Sequence, residues 1–392
     1  MPTKRRSITL TRLRVPRAAL ALTVVAFAAC SADNVVPTDP PANPKHDAPA
    51  LATADSSLTI SNHLAFWFLS RNPGIYNFVA PMWGASISPQ RLSAGYYSTT
   101  INGMSDYYHP GNKEIVMTTT YGSKTVQCAV PAWGSSTSVD QLWVTNFCDD
   151  MVTKQQVDAE FATLIVGNRS MSGTSAFAVA DQFWSASYTP DTARSFTTGT
   201  GSMLIQRIGV GDYYVSLGTG SPQGTTYMVN SAYELAICGV GEWKNFGVRV
   251  RCYDENGASV DAQFYVLQVG GGRYLLDPYG VTAPYAFAWA DQRSATVPYT
   301  PNTSYSRSGP RGGPITVTRT SVGDYQVEFV GLEDPFGDPQ TVHVTPFGLT
   351  YAQCNVTGIQ DSPAGTSELV RVKCYDQHGA LIDSRFNVLL LR

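Results

Sequence analysis

The chain has 392 residues, 43% of them hydrophobic and 15% charged, with a formal net charge of −3. That length suggests two or three domains, and that apolar fraction excludes a chain too polar to build a core. The 34 Gly, 24 Pro and 21 Tyr favour strands joined by turns over long helices.

The chain opens on six basic residues, from Lys4 to Arg17, followed by the apolar run Ala18 to Ala29. The run is shorter than the roughly 20 residues that cross a bilayer, so residues 1–29 read as an export signal. At its end stands AFAAC, Ala26 to Cys30. This stretch resembles the lipobox of bacterial lipoproteins, where small residues precede a cysteine. The resemblance implies lipidation of Cys30, which becomes the first residue of the mature chain. Phe27 stands where that family most often has Leu. Ser31, in place of Asp, implies delivery to the outer membrane. Removing residues 1–29 leaves 21 Lys+Arg against 30 Asp+Glu, a net charge of −9. Nucleic acid and anionic headgroups are therefore poor partners, and the lipid is the expected membrane attachment.

Residues 30–57, rich in Pro, Asp and Ala, read as a linker. Beyond it the chain repeats itself. FAVADQ at Phe177 returns as FAWADQ at Phe287, and RIGVGDYYVSL (Arg207 to Leu217) as RTSVGDYQVEF (Arg319 to Phe329). Cys238 and Cys252 return as Cys354 and Cys374, and FYVLQV at Phe264 as FNVLLL at Phe386. A weaker copy precedes these, with LAFWFLS (Leu64 to Ser70), Cys128, Cys148 and FATLIV (Phe161 to Val166). In it, GMSDYY (Gly103 to Tyr108) aligns with GVGDYY (Gly209 to Tyr214). The domains are expected at 58–168, 175–269 and 284–392.

Each copy reads as seven or eight short strands. In VRVRCYD, Val248 and Val250 alternate with Arg249 and Arg251, and VGDY at Val322 signals a tight hairpin. The expected fold is all-β, with three tandem antiparallel β-sandwich or jelly-roll-like domains. The tandem copies resemble repeats of this size in exported bacterial proteins. The Gly-x-Tyr-x-Val hairpin is also similar to that of jelly-roll domains in phage fibres and C1q-like proteins, a likeness of fold alone.

Setting Cys30 aside leaves six cysteines, two per copy. Six cysteines allow 15 pairings. The repeat selects Cys128–Cys148, Cys238–Cys252 and Cys354–Cys374, bonds that an exported compartment permits.

The acidic turn at Asp254, Asn256 and Asp261 returns at Asp376 and Asp383, with His378 in place of Asn256. A calcium loop needs several oxygen ligands on such a turn, but a plain hairpin turn explains the same residues and is expected. His46, His63, His109, His343 and His378 do not recur between copies and show no zinc spacing. No metal or cofactor is expected. The aromatic residues are the most suggestive feature. Copy one carries Trp67, Trp83, Trp133 and Trp143, with Tyr96, Tyr97, Tyr107 and Tyr108. Such rings fill cores, and on a surface they make platforms for sugars. The leading expectation is a non-catalytic outer-membrane lipoprotein that binds a glycan or another surface protein. A spacer without a ligand and a hydrolase with its site in copy one are the alternatives.

Overall fold

The computed structural model describes residues 64–69, 86–102, 113–136, 141–168, 171, 173–220, 223–232, 236–244, 246–270, 285–309, 312–333 and 340–391. The expected lipidation site Cys30 and the linker lie outside them. The described residues are all-β, without an α-helix. Repeat one holds β1 (Leu64–Leu69), β2 (Ser86–Ser93), β3 (Tyr96–Asn102), β4 (Glu114–Tyr121), β5 (Val126–Ser136), β6 (Gln141–Asp150), β7 (Gln155–Gln156) and β8 (Glu160–Gly167). Repeat two holds β9 (Ala176–Ala180), β10 (Ser187–Tyr188), β11 (Phe196–Thr197), β12 (Leu204–Gly209), β13 (Asp212–Ser216), β14 (Thr225–Ser231), β15 (Ala236–Lys244), β16 (Gly247–Asp254) and β17 (Phe264–Gly270). Repeat three holds β18 (Tyr285–Ala290), β19 (Arg307–Ser308), β20 (Ile315–Ser321), β21 (Asp324–Val330), β22 (Thr341–Phe347), β23 (Gln353–Asp361), β24 (Ser367–Tyr375) and β25 (Arg385–Leu391).

Every repeat is an antiparallel sandwich of two sheets. The front sheet runs β2-β3-β6-β5 in repeat one, β12-β13-β16-β15 in repeat two and β20-β21-β24-β23 in repeat three. The back sheet runs β1-β8-β4, β9-β17-β14 and β18-β25-β22. Front strands alternate buried and open residues, as in β3 and β21, because one face meets solvent. Back strands are buried almost throughout, as in β14 and β17. One of their faces packs on the front sheet and the other on neighbouring repeats. Their unbroken apolar runs follow from that double burial.

The expected disulfides are present. Cys128–Cys148, Cys238–Cys252 and Cys354–Cys374 each join directly opposed residues of β5·β6, β15·β16 and β23·β24. In the chain-entropy picture each loop is worth about 3 kcal/mol.

The first hairpin of repeat one lies upstream of its expected place. The hairpin equivalent to Val210-Gly211 and Val322-Gly323 is Ala94-Gly95, between β2 and β3. It is not GMSDYY, which lies outside the described residues. Gly95, Gly211 and Gly323 share φ between +62° and +67°. A Cβ on Gly95 would come within 2.4 Å of the Cys148 carbonyl, and one on Gly211 within 2.4 Å of the Cys252 carbonyl. Only glycine fits such a turn.

The three repeats are joined in a cycle. The edge of one front sheet meets the back sheet of the next. Gly348 N donates to the Val240 carbonyl at 2.8 Å, joining repeats two and three, and Gly122 N to the Val356 carbonyl at 2.8 Å, joining three and one. At the third junction the Tyr265 hydroxyl donates to the Val130 carbonyl at 2.9 Å. Counted from the cysteines, Val130, Val240 and Val356 are equivalent residues. Each adjoins, or lies within, a bulge that bends its edge strand.

Inside the cycle lies a second ring of hydrogen bonds. Thr119, Asn230 and Thr345 occupy equivalent places on β4, β14 and β22. The Asn230 side-chain carbonyl oxygen accepts from Thr118 N at 2.7 Å, Thr119 Oγ1 from Val344 N at 3.2 Å, and Thr345 Oγ1 from Val229 N at 3.0 Å. Each repeat thus caps a buried backbone N–H of another. His343 sits beside this ring with Nδ1 at 3.1 Å from Thr119 Oγ1 and Nε2 at 3.1 Å from Thr341 Oγ1. Its burial pushes the imidazole down to about 3. Met117 and Met228 take the equivalent positions.

Thr119→Val leaves the Val344 N–H without its acceptor and should cost about 1–3 kcal/mol. Calorimetry should still show one transition for residues 58–392, and three separate transitions would contradict the shared ring. A second expected outcome concerns His343. The unfolded side chain takes up a proton near 6.5 and the folded one only near 3. The unfolded state therefore binds more protons between those values, and stability falls as pH drops through that window. His343→Met should flatten urea midpoints measured between pH 7 and 4, and an unchanged slope would refute the assignment.

Candidate functional site

Two regions compete as sites, and the acidic turns come first. Asp254 Oδ1 accepts from Asn256 N and Ala258 N, and Asp376 Oδ1 from His378 N and Ala380 N. Asp261 and Asp383 point elsewhere. Asp261 takes Arg207 in a two-pronged pair at 2.9 and 2.8 Å, Gly211 N at 2.9 Å and the Tyr213 hydroxyl at 2.9 Å. Asp383 does the same with Arg319, Gly323 and Tyr325.

Repeat one carries the same group in Arg91, Gly95, Tyr97 and Asp158. The Arg91 hydrogen bond holds the Asp158 carboxyl down at about 2, and Arg207 and Arg319 likewise lower Asp261 and Asp383. This Arg-Gly-Tyr-Asp cluster ties each front hairpin to the start of its last back strand. The protein's own donors occupy both carboxylate oxygens of Asp261 and Asp383 and Oδ1 of Asp158. Among the described residues no three His, Cys, Asp or Glu side chains converge. The pattern Arg-x-x-x-Gly-x-Tyr was readable at Arg91, Arg207 and Arg319, but the misplaced alignment of copy one hid it.

The second region is the outer face of the front sheets. In repeat two this face is charged. Arg249 forks onto Asp212 at 2.7 and 2.5 Å and reaches Glu242 at 2.9 Å, and Arg251 lies 3.2 Å from Asp212. In repeat three Lys373 pairs with Asp324 at 3.4 Å. Asp212 stands opposite Arg251, and Asp324 opposite Lys373.

At the same register repeat one has Tyr96 opposite Phe147, stacked with centroids 4.4 Å apart. Trp143, 38% exposed, lies further along β6. Its indole covers Gly134 on β5. A Cβ there would come within 2.9 Å of Cζ2, so glycine lets the ring rest on the sheet. Between these aromatic groups lie Ser98 and Thr145, with Thr100 opposite Trp143. Ser86 to Gln90, Tyr96 to Asn102, Ala129 to Gly134 and Gln141 to Phe147 contain no Asp, Glu, Lys, Arg or His.

The layer behind that face also departs from its copies. Thr99, Thr118, Asn146 and Thr163 are buried in the sandwich of repeat one. Repeats two and three place buried valines at all four positions: Val215, Val229, Val250 and Val266, then Val327, Val344, Val372 and Val388. Asn146 Nδ2 donates to Thr118 Oγ1 at 2.8 Å, and Thr118 and Thr163 share a hydroxyl contact at 3.0 Å. Asn146 Oδ1 and Thr99 Oγ1 have no protein partner. A core built for stability alone would use the valines.

The expected aromatic residues thus part company. Trp143 is on the open face. Trp133 faces the other way, half-buried, edge-on to Tyr265 at 4.8 Å and beneath Arg194 at 4.7 Å. It bolts repeat one to repeat two. Trp243, its equivalent, bolts two to three by stacking on Tyr305 at 4.1 Å and meeting Trp289 at 4.4 Å. Trp67 is placed by its backbone opposite Thr163. Trp83, Tyr107 and Tyr108 lie outside the described residues. Phe147 was missed, because its role appears only once β3 and β6 are in register. Comparison with protein-family models, curated proteins and solved structures found no match to this chain.

If Asp254 and Asp376 only hold turns, millimolar calcium and chelator should give the same melting temperature. Asp261→Ala should lower that temperature in both, by about 2 kcal/mol of stability. A saturable rise with calcium would show a cation site after all.

Proposed function

We propose that this is an exported, lipid-anchored envelope protein that binds extracellular glycan, without catalysis, through the outer face of repeat one. The export signal and the stretch ending at Cys30 support the anchor. Three disulfides fit an oxidising compartment outside the cytoplasm. One observation carries the binding reading. Where two copies of the sheet hold ion pairs, the third holds a Tyr96–Phe147 stack beside an exposed Trp143.

A pyranose ring has an apolar C–H face and a rim of hydroxyls. An aromatic ring offers the first a partner, and serine and threonine hydroxyls offer the second theirs. The three copies form an internal comparison, since they share fold and register and differ in the chemistry of this face. The cyclic joining of the repeats gives the spacer reading little support, because a spacer gains from repeats strung end to end.

The test is a glycan array with the mature chain lacking Cys30. Trp143→Ala should weaken binding on the order of tenfold, the worth of one stacking platform, and leave the melting temperature within a few degrees. Capture of a surface protein with no glycan signal would replace the ligand. Silence towards both would return the chain to the spacer reading.

A further inference from the structure

If the outer face of repeat one binds glycan, its layout also constrains which glycan, and the inference rests on that reading. Two platforms lie on the face. Trp143 forms one, and the stacked Tyr96 and Phe147 form the other. Phe147 lies four residue steps along β6 from Trp143, roughly 13–14 Å at the rise of an antiparallel strand. A single sugar ring can cover one platform only. Between the platforms runs a row of small hydroxyl side chains, Ser98 and Thr145, directly opposite one another. Gly134 keeps the indole low against the sheet.

Charge narrows the class further. Ser86 to Gln90, Tyr96 to Asn102, Ala129 to Gly134 and Gln141 to Phe147 have no Asp, Glu, Lys, Arg or His. The first charges on these strands are Arg91 of β2, which Asp158 holds, and the buried Asp149 of β6. An acidic sugar would be desolvated there without a countercharge, which is costly. The equivalent face of repeat two carries Arg249 and Arg251, so the fold tolerates cations at these positions and repeat one lacks them. We infer that the outer face of repeat one takes an uncharged, linear oligosaccharide lying along β6, with rings on Trp143 and on the Tyr96–Phe147 stack.

The test is calorimetric titration of the mature chain. The probes are cello-, manno-, malto- and xylo-oligosaccharides from di- to hexasaccharide, with oligogalacturonides of the same lengths as the acidic arm. One neutral series should gain on the order of tenfold in affinity or more between the disaccharide and the hexasaccharide, as the second platform becomes reachable on the same chain. Added salt should change little, because no ion pair forms. Tyr96→Asp with Phe147→Arg installs the pair that repeat two already carries, so the fold should survive. This variant should keep weak binding at Trp143 and lose the gain with length. Phe147→Ala, which only trims the face, should reduce the same gain.

Oligogalacturonides binding as tightly as neutral sugars would overturn the uncharged class. Affinity independent of length, or a length gain that survives both variants, would overturn the two-platform arrangement and leave glycan binding standing. Binding of no sugar in any arm would take down the glycan reading itself.

Discussion

The ring of hydrogen bonds through Thr119, Asn230 and Thr345 is the constraint on which the rest of the molecule depends. A back strand buried on both faces must satisfy every polar group it carries. Within its own sheet the ladder does this. The N–H groups of Thr118, Val229 and Val344 are instead satisfied by a side chain from another repeat. Removing one repeat would strip an acceptor from a second and a donor from the third. Residues 58–392 accordingly form one unit by their contacts.

The other features follow from that closure. Bulges bend the edge strands β5, β15 and β23 towards the next repeat. Trp133 and Trp243 fill the seams, while Ile359 takes the equivalent place at the third. The disulfides lie close to these bulges and tie together the two strands of each hairpin. With the back sheets committed to the ring, only the outer faces of the front sheets are free to differ without disturbing the joints. Repeat one has changed there, and in the buried layer of Thr99, Thr118, Asn146 and Thr163 directly behind.

Much of this was legible in the residues. Paired cysteines at matching places fixed the disulfides, because a directly opposed pair recurs wherever the hairpin recurs. Alternation in VRVRCYD marked a strand with one open face, while the double burial of runs such as FYVLQV appeared only with the two sheets in place. The cycle was not legible. Its three ring positions are Thr, Asn and Thr, and its third junction swaps a backbone donor for the Tyr265 hydroxyl, so no shared motif marks them. The face of repeat one was half legible. Trp143 stood out as a tryptophan, but the meaning of Tyr96 and Phe147 depends on cross-strand register. Aligning Asp106, in place of Tyr96, with Asp212 concealed it.

The junctions at Val130, Val240 and Val356 also set a number. In an open stack of repeats each interface is independent, so duplication of a unit lengthens the stack and leaves the old interfaces intact. Here the third repeat returns to the first, and an extra copy would have to break a joint to enter. The architecture counts to three and stops. Variation that keeps all three joints closed falls on the outward faces, so their number is fixed and only their chemistry is free.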